Sequence, residues 1–168
     1  MICVQKFCRV ASSVFFSLFL ILPQISQAFP LIPDRDMTPG HICEVSDPDF
    51  KEYRYYEQIP YCYRNVSSSR KKQIYAKYRI PKSCQHRYTI DHLIPLSIGG
   101  SNTDENLWPE HVLVKATRAN LENQIYWSLR RGEITQEEAV ETVLLEKNNV
   151  VQVLQSHNFK SGCDIPTL

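Results

Sequence analysis

Residues 88–109, YTIDHLIPLSIGGSNTDENLWP, constrain this chain more than any other segment. Aromatic and β-branched residues alternate with polar ones over residues 88–94, a pattern typical of a β-strand, and Pro95 ends the run. Gly99-Gly100 supplies the backbone freedom for a tight reversal, and residues 106–108 are short and apolar enough to form the returning strand. The segment therefore predicts a strand, a turn and a second strand.

A helix ending at Gly132 is expected after the second strand. Its apolar residues recur at intervals of seven and four, which places them on one helical face: Val114, Leu121, Ile125 and Leu129. The predicted unit is ββα.

The first strand ends with an acidic residue beside a histidine, Asp91-His92. Neighbouring side chains in a strand point to opposite faces, so a phosphodiester lying across this end would meet a carboxylate on one side and an imidazole on the other. Histidine titrates near neutrality and can accept a proton from an attacking water. A divalent cation on oxygen ligands can meet the charge that develops on the leaving oxygen. The pair therefore suggests metal-assisted phosphodiester hydrolysis.

With Gly99-Gly100 and Asn106-Leu107-Trp108-Pro109 at their spacing from Asp91-His92, the segment resembles the HNH endonucleases of the ββα-metal superfamily. The resemblance covers roughly residues 86–140. It implies that His92 is the general base, that Asp91 is a metal ligand, and that Asn106 braces the loop through hydrogen bonds.

The resemblance also implies a metal-site residue on the helix, usually His or Asn, but the expected region reads KATRAN, with Ala116 unable to bind a metal. Asn120, one helical turn further on, is our preferred ligand, and His111 and Glu122 are alternatives. The implied cofactor is one divalent ion, with Mg²⁺ favoured and Mn²⁺, Ca²⁺ and Zn²⁺ as alternatives.

Each of these residues also has an ordinary structural interpretation. An Asp-His pair alone usually means a surface ion pair, and the added glycine and Asn-Leu-Trp-Pro motifs are what favour catalysis. Asn106 is also typical of a turn, Asn120 of a solvated helix face, and His111 of a helix start.

The N-terminal residues have the pattern of a signal peptide. Lys6 and Arg9 precede an apolar run over residues 10–22, and Ser26-Gln27-Ala28 precedes a cleavage expected before Phe29. Residues 1–28 hold two of the 19 basic residues and none of the 18 acidic ones, so the remaining chain carries a net charge of −1. We expect a secreted or periplasmic protein, with one domain over residues 29–168 and no membrane span.

Four cysteines remain after the leader, Cys43, Cys62, Cys84 and Cys163. An even number in an exported protein predicts two disulfides, and the lack of a Cys-x-x-Cys spacing disfavours a structural zinc site. Of the three possible pairings we favour Cys62 with Cys84 and Cys43 with Cys163, the latter joining both ends, although the sequence alone leaves all three open.

Residues 64–90 contain eight basic residues and no acidic one, although the whole chain is almost neutral. A helix from about Arg70 to Arg79, capped within residues 67–69 and ended by Pro81, would carry part of this charge. A polyanion is the expected partner, and a solvated helix face is the alternative. The residues assigned to nucleic-acid contact are Arg70, Lys71, Lys72, Lys77, Arg87 and, on the later helix, Arg118.

Residues 50–63 are rich in tyrosine and can hold a short strand. Their tyrosines are expected to pack on the core, the alternative being that Tyr53, Tyr55 or Tyr56 faces nucleic acid. After Gly132, Thr135 and Glu138 form a capping box that begins another helix, interpreted as a packing element away from the nucleic acid.

The sequence predicts an α+β fold, a single small domain built around an HNH-like ββα-metal motif at about residues 86–132 with additional helices. The expected function is metal-dependent endonucleolytic hydrolysis of DNA, with RNA as an alternative substrate. Little sequence preference is expected, because no base-reading motif accompanies the site. The competing hypothesis is a disulfide-stapled binding module that kept the scaffold and lost its metal.

Overall fold

The computed structural model describes residues 29–149, Cys163 and residues 166–167. The predicted signal peptide, residues 1–28, lies outside the described residues. The described chain is a small mixed α+β fold with two antiparallel two-stranded sheets, one short parallel strand pair and four α-helices. The strands are β1 (Phe29–Pro30), β2 (Phe50–Arg54), β3 (Ile59–Cys62), β4 (Tyr88–His92), β5 (Leu107–His111) and β6 (Pro166–Thr167). The helices are α1 (Ser68–Lys77), α2 (Val112–Thr117), α3 (Leu121–Arg130) and α4 (Gln136–Lys147).

Strands β4 and β5 form the predicted strand-turn-strand, pairing antiparallel with Asp91 opposite Trp108. The first strand ends at His92, two residues earlier than expected, and the second continues through Pro109 to His111. The expectation that Pro109 would lie beyond the strand was wrong. A two-stranded sheet leaves half of each strand's N–H groups facing away from its partner, so proline is tolerated at an edge.

Helix α1 confirms the predicted basic helix, displaced by about one half-turn toward the N-terminus. The Ser67 hydroxyl accepts a hydrogen bond from the Arg70 N–H, as an N-cap residue should. Helix α4 begins at the predicted capping box, in which Thr135 and Glu138 bond reciprocally. Both starts follow from local hydrogen-bonding groups.

The single helix predicted after the second strand is divided into α2 and α3 by a turn at residues 118–120. Three apolar residues of the predicted face are buried and the fourth, Leu121, is half-buried, but they belong to two different clusters. Val114 on α2 packs with Trp108 and the β4–β5 sheet, while Ile125 and Leu129 on α3 pack against α4. The two halves of the predicted face therefore belong to different clusters, with the turn between them.

All four cysteines of the described chain form disulfides, but the favoured pairing was wrong. The structure joins Cys43 to Cys62 and Cys84 to Cys163. The antiparallel pairing of β2 with β3 returns Cys62 to a position opposite Phe50, next to the loop that carries Cys43. Paired cysteines suggest a non-reducing compartment. No helix in the described part of the chain is long and apolar enough to cross a membrane.

Candidate functional site

The side chains of Asp91 and His92 diverge from the end of β4, as neighbours in a strand should. Asp91 faces a cluster of charged groups from β5, α2 and α4. His92 faces the amide side chain of Asn102, in the loop between β4 and β5. Both residues are buried, at 6% and 2% exposure respectively. The strand end thus separates the ion pairs around Asp91 from the hydrogen-bonded amide beside His92.

The orientation of the Asn102 amide is determined by groups other than His92. Its Nδ2 donates to Asp49 Oδ2 at 3.1 Å and to the Tyr63 carbonyl oxygen at 2.8 Å, two atoms that accept hydrogen bonds. Its Oδ1 accepts from the Asn65 N–H at 3.3 Å. Oδ1 is therefore the atom that lies 3.0 Å from His92 Nε2. Because Oδ1 can only accept, Nε2 carries the proton and the basic lone pair of neutral His92 is on Nδ1.

The protein holds His92 in its neutral form. Burial lowers the pKa of His92, and the positive charges of Arg64 and Lys147 act in the same direction. The hydrogen bond to Asn102 and the charge of Asp91 oppose this shift without overcoming it. A neutral imidazole near pH 7 is the form that can accept a proton.

Two lysines lie beside Asp91. Lys115 Nζ donates to Asp91 Oδ2 at 2.6 Å, and Lys147 Nζ lies 3.9 Å from the same oxygen. Burial alone would raise the pKa of Asp91, but contact with Glu110 and the two lysine charges outweigh it and hold that pKa well below its usual range. Asp91 is therefore an ionised, buried carboxylate whose charge is met by ammonium groups.

Glu110 on β5 completes a buried pair of carboxyl groups with Asp91. Burial and the neighbouring Asp91 raise the pKa of Glu110 to about 7, although Arg118 and Lys147 favour its charged form. Its Oε1 pairs with Arg118, and the hydrogen bond that its protonated form shares with Asp91 is one cause of the raised pKa. Its buried Oε2 accepts no hydrogen bond from the described part of the chain. That oxygen lies 3.6 Å from Lys115 Nζ, so the Lys115 ammonium contacts both acids.

Lys147 is 2% exposed although it belongs to the last turn of α4. Its Nζ donates to the His92 carbonyl oxygen at 2.7 Å and to Glu122 Oε1 at 3.0 Å. The helix predicted to serve only as packing therefore also reaches the end of β4. The lysine helps to fix the backbone at the two candidate residues.

Asn106 braces the loop after His92. Its Oδ1 accepts from the Ile94 N–H at 2.8 Å, and its Nδ2 donates to the carbonyl oxygens of Ile94 and Ser101, both at 2.9 Å. The backbone approaches so closely here that a Cβ on Gly100 would lie 1.8 Å from the Ile94 oxygen. Gly99 has φ +91°, in the left-handed region that favours glycine. The glycine pair and Asn106 together hold the tight reversal predicted from sequence.

The three residues considered as a further metal ligand occupy different environments. Asn120 is exposed at the start of α3, and its side chain makes no capping hydrogen bond. His111 is 1% exposed and caps α2, with Nδ1 accepting from the Leu113 N–H at 3.2 Å. Glu122 pairs with Lys147. His111 thus caps a helix, as in its ordinary structural interpretation. Metal ligation by Asn120 stays a prediction.

The residues assigned to nucleic-acid contact are not equally accessible. Lys71 and Lys72 are exposed on α1, while Arg70 Nε donates to Asp104 at 3.0 Å. Lys77, also exposed, donates from Nζ to the Met37 carbonyl oxygen at 2.8 Å, and Arg87 is half-buried in a 3₁₀ turn. The Arg118 side chain is only 5% exposed and points to Glu110 rather than to solvent.

One group of three metal-ligand side chains occurs in the described residues: Cys43, Asp47 and Cys62, whose ligand atoms lie within 4.8 Å of one another. Such a group could hold a metal ion. Its two sulfurs are joined in a disulfide here, at 2.09 Å, so thiolate ligation would require reduction. No comparable group of His, Cys, Asp and Glu side chains in the described chain includes Asp91.

Asn102, Asp49, Glu110, Lys115 and Lys147 were not predicted as site residues. Asn102 lies in the Gly-Gly-Ser-Asn turn, where its nearness to His92 was a usable signal. The others come from separate segments and carry no local pattern that indicates the site. No protein-family profile, curated protein or solved structure matches the chain.

Proposed function

We propose that this protein is a secreted or periplasmic metal-dependent endonuclease of the HNH type, which hydrolyses phosphodiester bonds in DNA, or alternatively RNA, with little sequence preference. The observation that carries the proposal is the divergence of Asp91 and His92 from one braced strand end. It offers a buried carboxylate on one face and a neutral imidazole of defined tautomer on the other.

His92 is the proposed general base. With Nε2–H donated to Asn102, Nδ1 accepts a proton from a water that attacks the phosphorus. The hydrogen bonds from His92 to Asn102 and from Asn102 to Asp49 hold the imidazole ring in one orientation and stabilise the positive charge that forms on it. Burial keeps the imidazole neutral until it takes up that proton.

Asp91 and Glu110 are the residues that would hold a divalent cation. Two adjacent buried carboxyl groups, one with an oxygen that accepts no hydrogen bond from the described part of the chain, suit a hard ion such as Mg²⁺ or Mn²⁺. The Lys115 ammonium already lies against both acids, which indicates that cations are favoured there. The Lys115 side chain is 48% exposed and can withdraw, whereas buried Lys147 cannot. When bound, the ion would stabilise negative charge on the phosphate and on the leaving oxygen.

Backbone contacts are proposed to give binding without sequence recognition. Arg64 is exposed beside His92, and its Nη2 donates to the Ile90 carbonyl oxygen at 3.5 Å. Lys71 and Lys72 are exposed on α1. Such cations contact phosphates whatever the bases, so affinity should depend strongly on salt.

The proposal is tested by plasmid cleavage with Mg²⁺ and with EDTA, comparing wild type with His92→Ala. Loss of a positioned proton acceptor should lower turnover by about a hundred- to ten-thousand-fold while DNA binding persists. The matched control is His86→Ala, because His86 is exposed in the 3₁₀ turn before β4. Wild-type turnover in His92→Ala would contradict the assignment of the base.

The metal assignment is tested by titrating cleavage with Mg²⁺. Asp91→Asn should raise the Mg²⁺ concentration required, because the ion loses a charged oxygen ligand. Asn120→Ala should do the same if Asn120 is a ligand, and His111→Ala should not. Lys115→Gln should lower the requirement, because it removes the competing ammonium. An unchanged requirement in Asp91→Asn would exclude that residue as a ligand.

A non-catalytic binding module is the second candidate, and one observation favours it. The Lys115 ammonium, 2.6 Å from Asp91, neutralises the carboxylate without any metal. In that case the charged cluster would serve stability alone. Plasmid that remains intact at every Mg²⁺ concentration, together with retained DNA binding, would favour the module over the nuclease.

A further inference from the structure

A second concave site lies between the β2–β3 turn and α3, away from the charged cluster. It is an open pocket of about 600 Å³ lined by Arg54, Tyr55, Tyr56, Gln58, Tyr126 and Arg130. Its described lining therefore contains three aromatic rings, two guanidinium groups, one amide and no carboxylate. Pockets of this size, lined by aromatic groups with a few polar ones, are typical of ligand sites.

The turn that forms one wall is held in a defined conformation. Tyr55 and Gln58 have φ of 63° and 55°, which costs about 1 kcal/mol or more for each non-glycine residue. The Gln58 N–H donates to the Tyr55 carbonyl oxygen at 3.2 Å, and the Tyr55 hydroxyl donates to the Ser97 carbonyl oxygen at 2.6 Å. This conformation leaves Tyr56 91% exposed at the tip of the turn.

The opposite wall combines an aromatic ring with a cation, Tyr126 with Arg130, and Trp127 lies beside them outside the pocket lining. Arg130 Nη1 donates to the Tyr126 hydroxyl at 2.8 Å, and the guanidinium carbon lies 5.2 Å from the centre of the Trp127 ring. Trp127 packs edge-on against Tyr126 and is 42% exposed. Arg54, across the pocket, lies 3.2 Å from the centre of the Tyr61 ring and also pairs with Glu52. Planar groups thus surround the opening on both sides.

This chemistry suits a flat ligand that carries negative charge. Aromatic rings and guanidinium planes both stack on nucleobases. Such stacking does not depend on the base sequence, because every base has a π-face. A sugar also stacks on aromatic rings, but a neutral sugar has no negative charge to pair with the two guanidinium groups of the lining. A base with an attached phosphate satisfies the rings and the guanidinium groups together.

We propose that this pocket binds unpaired nucleobases of a single-stranded nucleic acid. That the bound strand is also the substrate rests on the proposed nuclease function. The Tyr55 hydroxyl bonds to the 3₁₀ turn Leu96–Ile98, which begins four residues after His92. Ser97 is five residues after His92, so their Cα atoms are at most about 18 Å apart and one decanucleotide can reach both places.

The test uses the fluorescence of Trp127. The chain has two tryptophans, and Trp108 is fully buried, so quenching by an added strand reports on Trp127. His92→Ala protein, in EDTA to prevent cleavage, is titrated with a ten-residue oligothymidylate. It is also titrated with the corresponding duplex and with polyphosphate, which has charge but no bases. Saturable quenching by the single strand is expected, at lower concentration than for the other two, and Trp127→Phe should abolish it.

The chain offers a matched pair of variants. Tyr56→Ala should weaken single-strand binding by about 5- to 150-fold, the range for one stacked base. Tyr53→Ala removes an equally simple tyrosine, 50% exposed on β2 but packed on Phe50 and outside the pocket lining, and should bind as the parent does. Both side chains are exposed, so neither change should affect folding.

Equal affinities for Tyr56→Ala and the parent would overturn the proposal, as would equal losses in both variants. Quenching by polyphosphate with the same dependence on Tyr56 would mean that phosphate alone is recognised, and would also overturn it. These results do not depend on catalysis, so the failure of one proposal is distinguishable from the failure of the other. A pocket that binds no base leaves the His92→Ala cleavage test unchanged, and an inactive protein can still bind the strand.

Discussion

Replacing Asn106 by alanine should destabilise this protein severely, because the amide is completely buried and bonds to four backbone groups, three of them at 2.8–2.9 Å in the loop and the His41 N–H at 3.5 Å. The variant leaves the N–H and carbonyl of Ile94 and the carbonyl of Ser101 without their partner, in a loop where Ile94 is 4% and Ser101 0% exposed. Each hydrogen bond contributes about 1 kcal/mol net, and each buried group left unpaired costs about 1–3 kcal/mol. Water that enters the space left by the amide should satisfy some of these groups, so we expect a loss of about 3–5 kcal/mol in the free energy of unfolding.

That loss is a large share of the roughly 5–15 kcal/mol available to a folded domain, and should lower Tm by roughly 10–20 °C. Urea unfolding at neutral pH, followed by tryptophan fluorescence with the disulfides intact, measures it directly. The matched control is Asn123→Ala, an exposed position on α3, which should stay within about 0.5 kcal/mol of wild type. If Asn106→Ala is as stable as this control, the brace does not hold the loop, and the role of Asn106 must be abandoned.

Three further outcomes are expected. The mature protein should contain no free thiol, so alkylation without reductant should add no mass; a labelled cysteine would contradict the disulfide assigned to it. Changing Arg70, Lys71 and Lys72 together to Gln should weaken DNA binding equally for unrelated sequences. The slope of the logarithm of the binding constant against the logarithm of salt concentration should fall by the amount expected for about two lost phosphate contacts rather than three, because Arg70 is paired with Asp104. An unchanged slope would mean that α1 is a solvated face. For Glu110, the folded-state pKa of about 7 lies above the ordinary value of 4.5, so the folded protein binds the proton more tightly. Its contribution to stability is therefore complete below about pH 4.5 and is lost as the pH rises to about 7, on the order of 3 kcal/mol. Between pH 5 and pH 8 wild type should lose more stability than Glu110→Gln; parallel curves from urea unfolding would show that the carboxyl is not perturbed.

Local chemistry was sufficient to predict several elements. The Ser67 cap of α1 and the capping box of Thr135 and Glu138 act within one helical turn, so the sequence contains all the groups involved. The same holds for the strand, glycine turn and second strand around Asp91-His92. Three of the four hydrogen bonds made by the Asn106 side chain stay within the loop that it closes.

The break between α2 and α3 could not be predicted in this way, because the periodicity of the apolar residues continues across it. The buried residues before and after the break belong to separate clusters, one on the β4–β5 sheet and one on α4, and the sequence does not show which cluster a residue joins. Pairing of the cysteines is similarly a matter of which segments meet. Cys43 and Cys62 are brought together by the β2–β3 hairpin, whereas the spacing of four cysteines permits three pairings.

The sequence by itself determined the chemical types at the end of β4, an acid and an imidazole on opposite faces. Only the tertiary structure decided their surroundings, because most of the partners come from other segments: Asp49, which holds Asn102 beside His92, and Lys115 and Lys147 for Asp91. Only Asn102 among them lies close to its partner in the chain, ten residues after His92. Protonation state depends on burial and on the charges within a few ångströms, and neither is encoded by neighbours along the chain. A lysine 55 residues after His92 reaches its carbonyl oxygen, because α4 packs across the strand end. The packing of α4 therefore determines the charge around Asp91, and a pattern of residue types along the sequence does not predict this packing.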